Sequence, residues 1–191
     1  MPLIQVDIKD TRSQLKIDLL MLDLRGTWEE ILERLYTVFS QDFKTGGVHH
    51  RGMRIICDRR VLPDGRDKEE GFWHVVSRKD RDSGERLIDY RRAERLPWAR
   101  SAIECPPRSE IMVFDYDHGT KDVGVRRYIW LAEYDYVLIF QNKKRALFWV
   151  TAYYVDSDRG RKDLARRYEK KALKYSDRLL RRSPSSFYLH W

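Results

Sequence analysis

Between Arg126 and Val155 the chain reads as three consecutive β-strands, and this stretch constrains the fold more than any other. Arg127-Tyr128-Ile129-Trp130-Leu131 is one strand, Tyr134 to Gln141 a second, and Ala146 to Val155 a third. All three are rich in β-branched and aromatic residues, which suit a pleated, half-buried surface. The last two are joined across Asn142-Lys143-Lys144-Arg145. A hairpin symmetric about Lys143 and Lys144 opposes Tyr136 to Thr151 and Tyr134 to Tyr153. Because side chains alternate along a strand, Tyr134, Tyr136, Trp149, Thr151 and Tyr153 then share one face. Val137, Ile139, Phe148, Val150 and Ala152 form the other, which reads as plain core.

Helical signals flank this sheet. Thr27 followed by Glu30 makes a capping box, in which the hydroxyl accepts from a first-turn N–H and the carboxylate reaches back. Trp28, Ile31, Leu32, Leu35, Val38 and Phe39 follow at helical spacing, and the helix should end before Gly46-Gly47. A second helix is expected over 158–182, with Leu164, Tyr168, Ala172, Tyr175 and Leu179 on its apolar stripe. From Asp156 to Arg182 there are 11 basic and 5 acidic residues, so most of the chain's formal charge of +8 lies here. Earlier, Leu3 to Ile8 and Leu15 to Leu20 read as strands of a hairpin, although Leu and Met also suit a helix, and Met53 to Cys57 reads as a short strand. The charged run from Arg78 to Glu85 reads as a turn. Pro97 and Pro106-Pro107 argue against one long helix through this segment. Ser183 to Ser186 breaks the final helix. The whole is read as a single domain with three segments: N-terminal elements over 1–71, a core over 72–157, and the basic helix over 158–182.

A chain of 191 residues can bury a real core, and 42% hydrophobic with 13% aromatic content excludes a wholly disordered protein. No apolar run approaches the roughly 18 residues of a membrane span, and the N-terminus does not read as a secretory signal. Cys57 and Cys105 cannot make a disulfide framework, so a reducing cytoplasm is expected. His49 and His50 are adjacent and cannot both face one metal from regular backbone, and no His-x-x-x-His or Cys-x-x-Cys spacing occurs. No glycine-rich phosphate loop, Gly-x-Ser-x-Gly elbow or dinucleotide fingerprint is present either, so no cofactor is expected. The positive charge favours a polyanionic partner.

Several residues could carry chemistry with such a partner. His74 sits in Phe72-Trp73-His74-Val75-Val76, where it is either a core imidazole bonded to backbone or a reactive group. His118, in Asp117-His118-Gly119, reads as a turn residue. Arg126-Arg127 open a strand and either guard a sheet end or grip phosphate, for which the guanidinium fork is well shaped. The Thr151 and Tyr153 hydroxyls could bond a phosphate, although β-propensity alone accounts for both. RNA cleavage without a metal needs a base for the 2′-OH, an acid for the 5′-oxygen, and cations around the phosphorane. One histidine, arginines, a threonine and a tyrosine would suffice.

Four segments taken in order resemble the phage-associated barnase–EndoU–colicin–RelE-like nucleases. They are Phe72-Trp73-His74-Val75-Val76-Ser77, Leu96-Pro97-Trp98-Ala99-Arg100, Arg127-Tyr128-Ile129-Trp130-Leu131 and Val150-Thr151-Ala152-Tyr153-Tyr154-Val155. The resemblance spans about residues 28–170. It implies an α+β fold with N-terminal helices packed on a curved antiparallel sheet, and metal-independent ribonuclease activity. Many members are toxins acting on tRNA or other cellular RNA. Carried onto this chain, it implies His74 as general base or acid and Arg127, with Arg126, as phosphate clamp. Thr151 and Tyr153 would orient or protonate around the scissile phosphate, and Arg100 would be a further phosphate ligand. The expectation is therefore a cytoplasmic endoribonuclease, a toxin or mobile-element protein restrained by an antitoxin or immunity partner. Two rivals stay open: a non-catalytic nucleic-acid-binding module, and an adaptor whose basic surface meets an acidic protein.

Overall fold

A computed structural model describes residues 19–63, 67–80, 82–105 and 110–170 in full, and the backbone of 3–4 and 171–180. Most of the expected N-terminal hairpin, the Pro106-Pro107 pair and everything after residue 180 lie outside the described residues. What is seen at the N-terminus is a short pairing of β1 (Leu3–Ile4) with β2 (Met21–Leu22).

The fold is α+β, with a curled, antiparallel-rich sheet at its centre. Helix α1 (Trp28–Phe39) starts at the expected capping box: Glu30 N–H donates to Thr27 Oγ1, and Thr27 N–H donates to Glu30 Oε2. Its Ile31, Leu35, Val38 and Phe39 are buried, and a π-helical turn over Ser40–Thr45 carries it up to Gly46. Then β3 (His49–His50) and β4 (Met53–Ile56) form a tight hairpin. Its two loop residues, Arg51 and Gly52, both take positive φ, as the right-handed twist of such a hairpin demands.

Helix α2 (Glu70–Val76), the small hairpin of β5 (Ser77–Lys79) with β6 (Arg86–Ile88), and helices α3 (Tyr90–Ala93) and α4 (Trp98–Glu104) follow. The helical run is interrupted before Pro97, which occupies the N-cap of α4. Four antiparallel strands complete the sheet: β7 (Ile111–Asp117), β8 (Val125–Leu131), β9 (Tyr136–Asn142) and β10 (Ala146–Tyr154). Helix α5 (Asp158–Leu180) closes the described chain, and no described helix is long and apolar enough to cross a membrane.

The six-stranded sheet runs β3-β4-β10-β9-β8-β7. One pairing departs from an all-antiparallel sheet: β4 lies parallel to β10, with Arg54, Ile55 and Ile56 opposite Ala146, Leu147 and Phe148. One face packs against α1, α2 and α4, burying Ile55, Ile129, Leu131, Leu138, Phe140, Leu147 and Trp149 among Leu35, Phe39, Phe72 and Trp98. Among the described residues, the opposite face meets α5 at one end, where Leu164 joins Phe114, Tyr128, Trp130 and Val137.

A bulge corrects the facial assignment expected from alternation. Trp149 opposes Phe140 but Thr151 opposes Ile139, so Val150 is an extra residue and the parity of β10 reverses there. Tyr136 and Trp149 therefore share the large core with Ala152, whereas Tyr153 faces α5 with Val137 and Ile139. The hairpin register shifts as well, with Tyr136 opposite Tyr154 and Tyr153 opposite Val137. Tyr134 lies in a 3-10 turn outside the strand.

Candidate nucleic-acid interface

The bulge and the register together lay out the part of the sheet's opposite face that no described element covers, the uncovered face. Directly opposed residues point the same way, so Ile56, Phe148, Gln141, Arg126 and Tyr116 form one row across β4, β10, β9, β8 and β7. None of the five is buried, and Ile56 is 37% exposed. Lys143, from the β9–β10 turn, stands 5.9 Å from the centre of the Phe148 ring. The next row, Thr151, Ile139, Tyr128 and Phe114, runs beneath α5 at its far end.

At the β10 edge stands the first cluster. Helix α2 is seated there by close backbone contact: Gly71 N–H donates to the Asp58 carbonyl at 3.0 Å, and a Cβ on Gly71 would stand 2.8 Å from that oxygen. Only glycine allows this approach, which sets the start of the helix carrying His74. The other end of α2 is tied by three donors. Thr151 Oγ1 donates to the His74 carbonyl at 3.0 Å, and Ser77 Oγ donates to the Trp73 carbonyl at 2.5 Å. Arg92 Nη1 donates to the carbonyls of Ser77 at 2.6 Å and His74 at 3.3 Å. Burial lowers the pKa of Arg92, yet a guanidinium is so strong a base that it stays charged.

One helical turn apart, Glu70 and His74 face each other, with His74 Nε2 3.4 Å from Glu70 Oε2. The imidazole is 32% exposed and the carboxylate largely buried. This pairing favours the tautomer with hydrogen on Nε2 and leaves Nδ1 as acceptor. Asp58, clasped by Arg60 through both carboxylate oxygens, is held below the usual carboxylate range, chiefly by that hydrogen-bonded pairing and to a smaller extent by His74. The His74 side chain is intermediate in burial and its ring meets Glu70, while its backbone carbonyl accepts from Thr151 and Arg92.

A second cluster stands at the β7 end. Arg167 of α5 donates to the Tyr128 hydroxyl at 3.0 Å and lies over the Tyr116 ring at 5.0 Å. The Tyr128 oxygen is also 3.0 Å from His118 Nε2. With Arg167 as donor, the phenolic hydrogen goes to His118, which fixes a neutral imidazole protonated on Nδ1. Burial and the cations of Arg167 and Arg126 lower the His118 pKa accordingly. His118 is thus more than a turn residue, although Gly119 N–H does close an Asx turn on Asp117.

The six residues singled out in the sequence do not converge on one point. Thr151 joins the His74 cluster through the His74 carbonyl. Tyr153 lies on the same side of the sheet, and burial pushes its hydroxyl pKa up to about 12, so it remains a proton donor. Arg126 and Arg127 point to opposite faces. Arg127 is gripped by both oxygens of Asp115 at 2.8 and 2.9 Å, on the helix-covered side. Arg126 lies on the uncovered row, and its side chain makes no hydrogen bond or ion pair within the described residues. Arg100 stands on α4, paired with Asp42 and Glu104, each at 3.2 Å, also on the covered side.

Glu70, Arg92, Phe148, Tyr116 and Arg167 escape sequence reading. The Glu70–His74 spacing of four was the one local signal, and it has meaning only once α2 is known to be helical. Among the described residues, no three His, Cys, Asp or Glu side chains gather as a metal-binding group. No protein-family model, curated protein or solved structure matches this chain.

Proposed function

We propose that this protein is an endoribonuclease that breaks RNA by internal transesterification, leaving a 2′,3′-cyclic phosphate and a 5′-hydroxyl. The observation carrying this reading is the 32%-exposed His74 imidazole, backed by the Glu70 carboxylate, on a helix tied to β10, a strand of the sheet whose other face carries arginine and aromatic side chains. In the reaction the 2′-oxygen attacks phosphorus and the 5′-oxygen departs. His74 Nδ1 takes the 2′-OH proton, and Glu70 stabilises the imidazolium that forms. Tyr153, whose hydroxyl keeps its hydrogen, gives that proton to the departing 5′-oxygen, and the imidazolium returns its proton to solvent, from which the tyrosine is reprotonated. Thr151 positions α2 through the His74 carbonyl. Arg126 takes the phosphate role that the family resemblance assigns chiefly to Arg127, because Arg126 alone of the two lies on the uncovered face. RNA is chosen over DNA because the nucleophile is the 2′-OH. The free thiols of Cys57 and Cys105 support a reducing compartment such as the cytoplasm. An activity of this kind, directed at tRNA or another cellular RNA as in toxins of phage or other mobile elements, calls for a restraining antitoxin or immunity protein.

The test is incubation of the protein with total tRNA and a labelled single-stranded RNA in EDTA, beside His74→Gln. Wild type should give fragments ending in 2′,3′-cyclic phosphate. The variant should be slower by about a hundredfold or more, the scale of a lost acid–base group, with unchanged RNA affinity and melting temperature. RNA binding without cleavage by either protein would replace the enzyme with a nucleic-acid-binding module.

A further inference from the structure

The uncovered row has a pattern that catalysis does not require. Ile56 and Phe148 at one end and Tyr116 at the other set flat or apolar surfaces on either side of a hydrogen-bonding amide, Gln141, and a cation, Arg126, lacking a carboxylate partner among the described residues. Four inter-strand steps separate the ends of the row, a span of roughly 19 Å at the usual strand spacing. Cations border it along its length: Arg54 on β4, Lys143 beside Phe148, and Arg167 over Tyr116. The His74 cluster stands by β10, near one end, and the His118–Tyr128–Arg167 cluster stands at the other.

We infer that this row is a docking track for single-stranded RNA of about four nucleotides, the low end of site sizes in single-strand-binding domains. The inference deepens the ribonuclease reading and rests on it for the choice of RNA. One base stacks on Phe148, in the place Lys143 now occupies, and the displaced ammonium turns to a phosphate. A second base stacks on Tyr116, whose other neighbour is the Arg167 guanidinium. Arg126, between them, takes the intervening phosphate, and Gln141 meets a base edge. The chemistry selects single strands because stacking on a side chain needs an unstacked base, which a duplex keeps inside. The far cluster lies too distant from His74 to act on the same phosphate, so His118, Tyr128 and Arg167 hold the RNA and do not cut it.

Fluorescence anisotropy with a six-nucleotide oligomer, 2′-O-methylated throughout so that it cannot be cleaved, tests the track. Its duplex form, Phe148→Leu and Arg126→Gln complete the set. Leucine keeps the apolar bulk at position 148 and removes the π face, so the sheet is preserved, and circular dichroism checks this. The single strand should bind wild type more tightly than the duplex does. Phe148→Leu should weaken single-strand binding about tenfold, and Arg126→Gln should lower the salt dependence by about one released counterion. Equal binding of both forms, or wild-type affinity in Phe148→Leu, overturns the track. So does an acidic polypeptide that competes fully with the oligomer while Phe148→Leu has no effect. Cleavage of unmodified RNA is scored separately. Cleavage with no Phe148 effect sinks the track and spares the enzyme, and a Phe148 effect without cleavage does the reverse.

Discussion

Replacing Arg92 by methionine probes how the His74 helix is held. The guanidinium is 11% exposed, and its Nη1 serves the Ser77 carbonyl at 2.6 Å, the His74 carbonyl at 3.3 Å and the Thr151 hydroxyl at 3.3 Å. Its ion pair with Asp89 is long, 3.9 Å, and Nε has no hydrogen-bond acceptor. Methionine retains the apolar stem and removes the donors. The His74 carbonyl keeps its bond from Thr151, so the loss falls on the Ser77 carbonyl, which forfeits a short, charge-assisted bond. Hydrogen bonds to charged groups contribute about 1.5–3 kcal/mol, and a stranded buried acceptor costs a similar amount. Against this stands the relief of no longer burying a cation, which is the reason the expected loss is about 2–3 kcal/mol and not the sum of three bonds. For a chain of this length that corresponds to a fall of about 4–12 °C in melting temperature. Differential scanning calorimetry measures it. Pairing the change with Thr151→Val should show a coupling of at least about 0.5 kcal/mol, since both side chains grip one carbonyl. A variant as stable as wild type, or more stable, would refute the reasoning, because the burial cost of the cation would then outweigh its bonds.

Two further outcomes follow from the same geometry. Arg127→Gln and Asp115→Asn should each cost about 1 kcal/mol in urea unfolding and leave RNA affinity unchanged, whereas Arg126→Gln should do the opposite; equal effects on affinity from both arginines would contradict their separation by the sheet. His50 and His118 both have pKa values below the usual 6.5, His50 chiefly because it is buried, with its Nδ1 bond to the Ile103 carbonyl opposing the shift only in part. The unfolded chain therefore binds more protons below pH 6.5, so stability is full above that value and declines as the pH falls toward the folded-state pKa values. His50→Asn keeps a side-chain donor without titrating, and its melting temperature should fall less than wild type's between about pH 7 and 5.

How far the residues foretold the structure depends on the distance over which each feature is decided. The start of α1 was legible because Thr27 and Glu30 settle it within one turn. The strands β8, β9 and β10 were legible because their composition suits almost any sheet. The face of Thr151 was not, because one extra residue at Val150 reverses parity and nothing in Trp149-Val150-Thr151 announces it. Helix α2 carries bulky Phe72, Trp73, Val75 and Val76, all buried, so tertiary packing and the Gly71 contact decide its form. The site followed the same rule. His74 stood out by its apolar neighbours, but its partner Glu70 and the choice of Arg126 over Arg127 needed the helix and the register.

The parallel pairing of β4 with β10 also governs when the molecule can assemble. Its partners lie about ninety residues apart, so this contact closes a far longer loop than the hairpins of β7 through β10. During synthesis β4 and α2 emerge well before the strand that seats them, and they remain an unsatisfied edge and an unanchored helix until Ala146–Tyr154 leaves the ribosome. The His74 end of the sheet is therefore joined only once Ala146–Tyr154 has been made, and α5, which completes the opposite end, follows it.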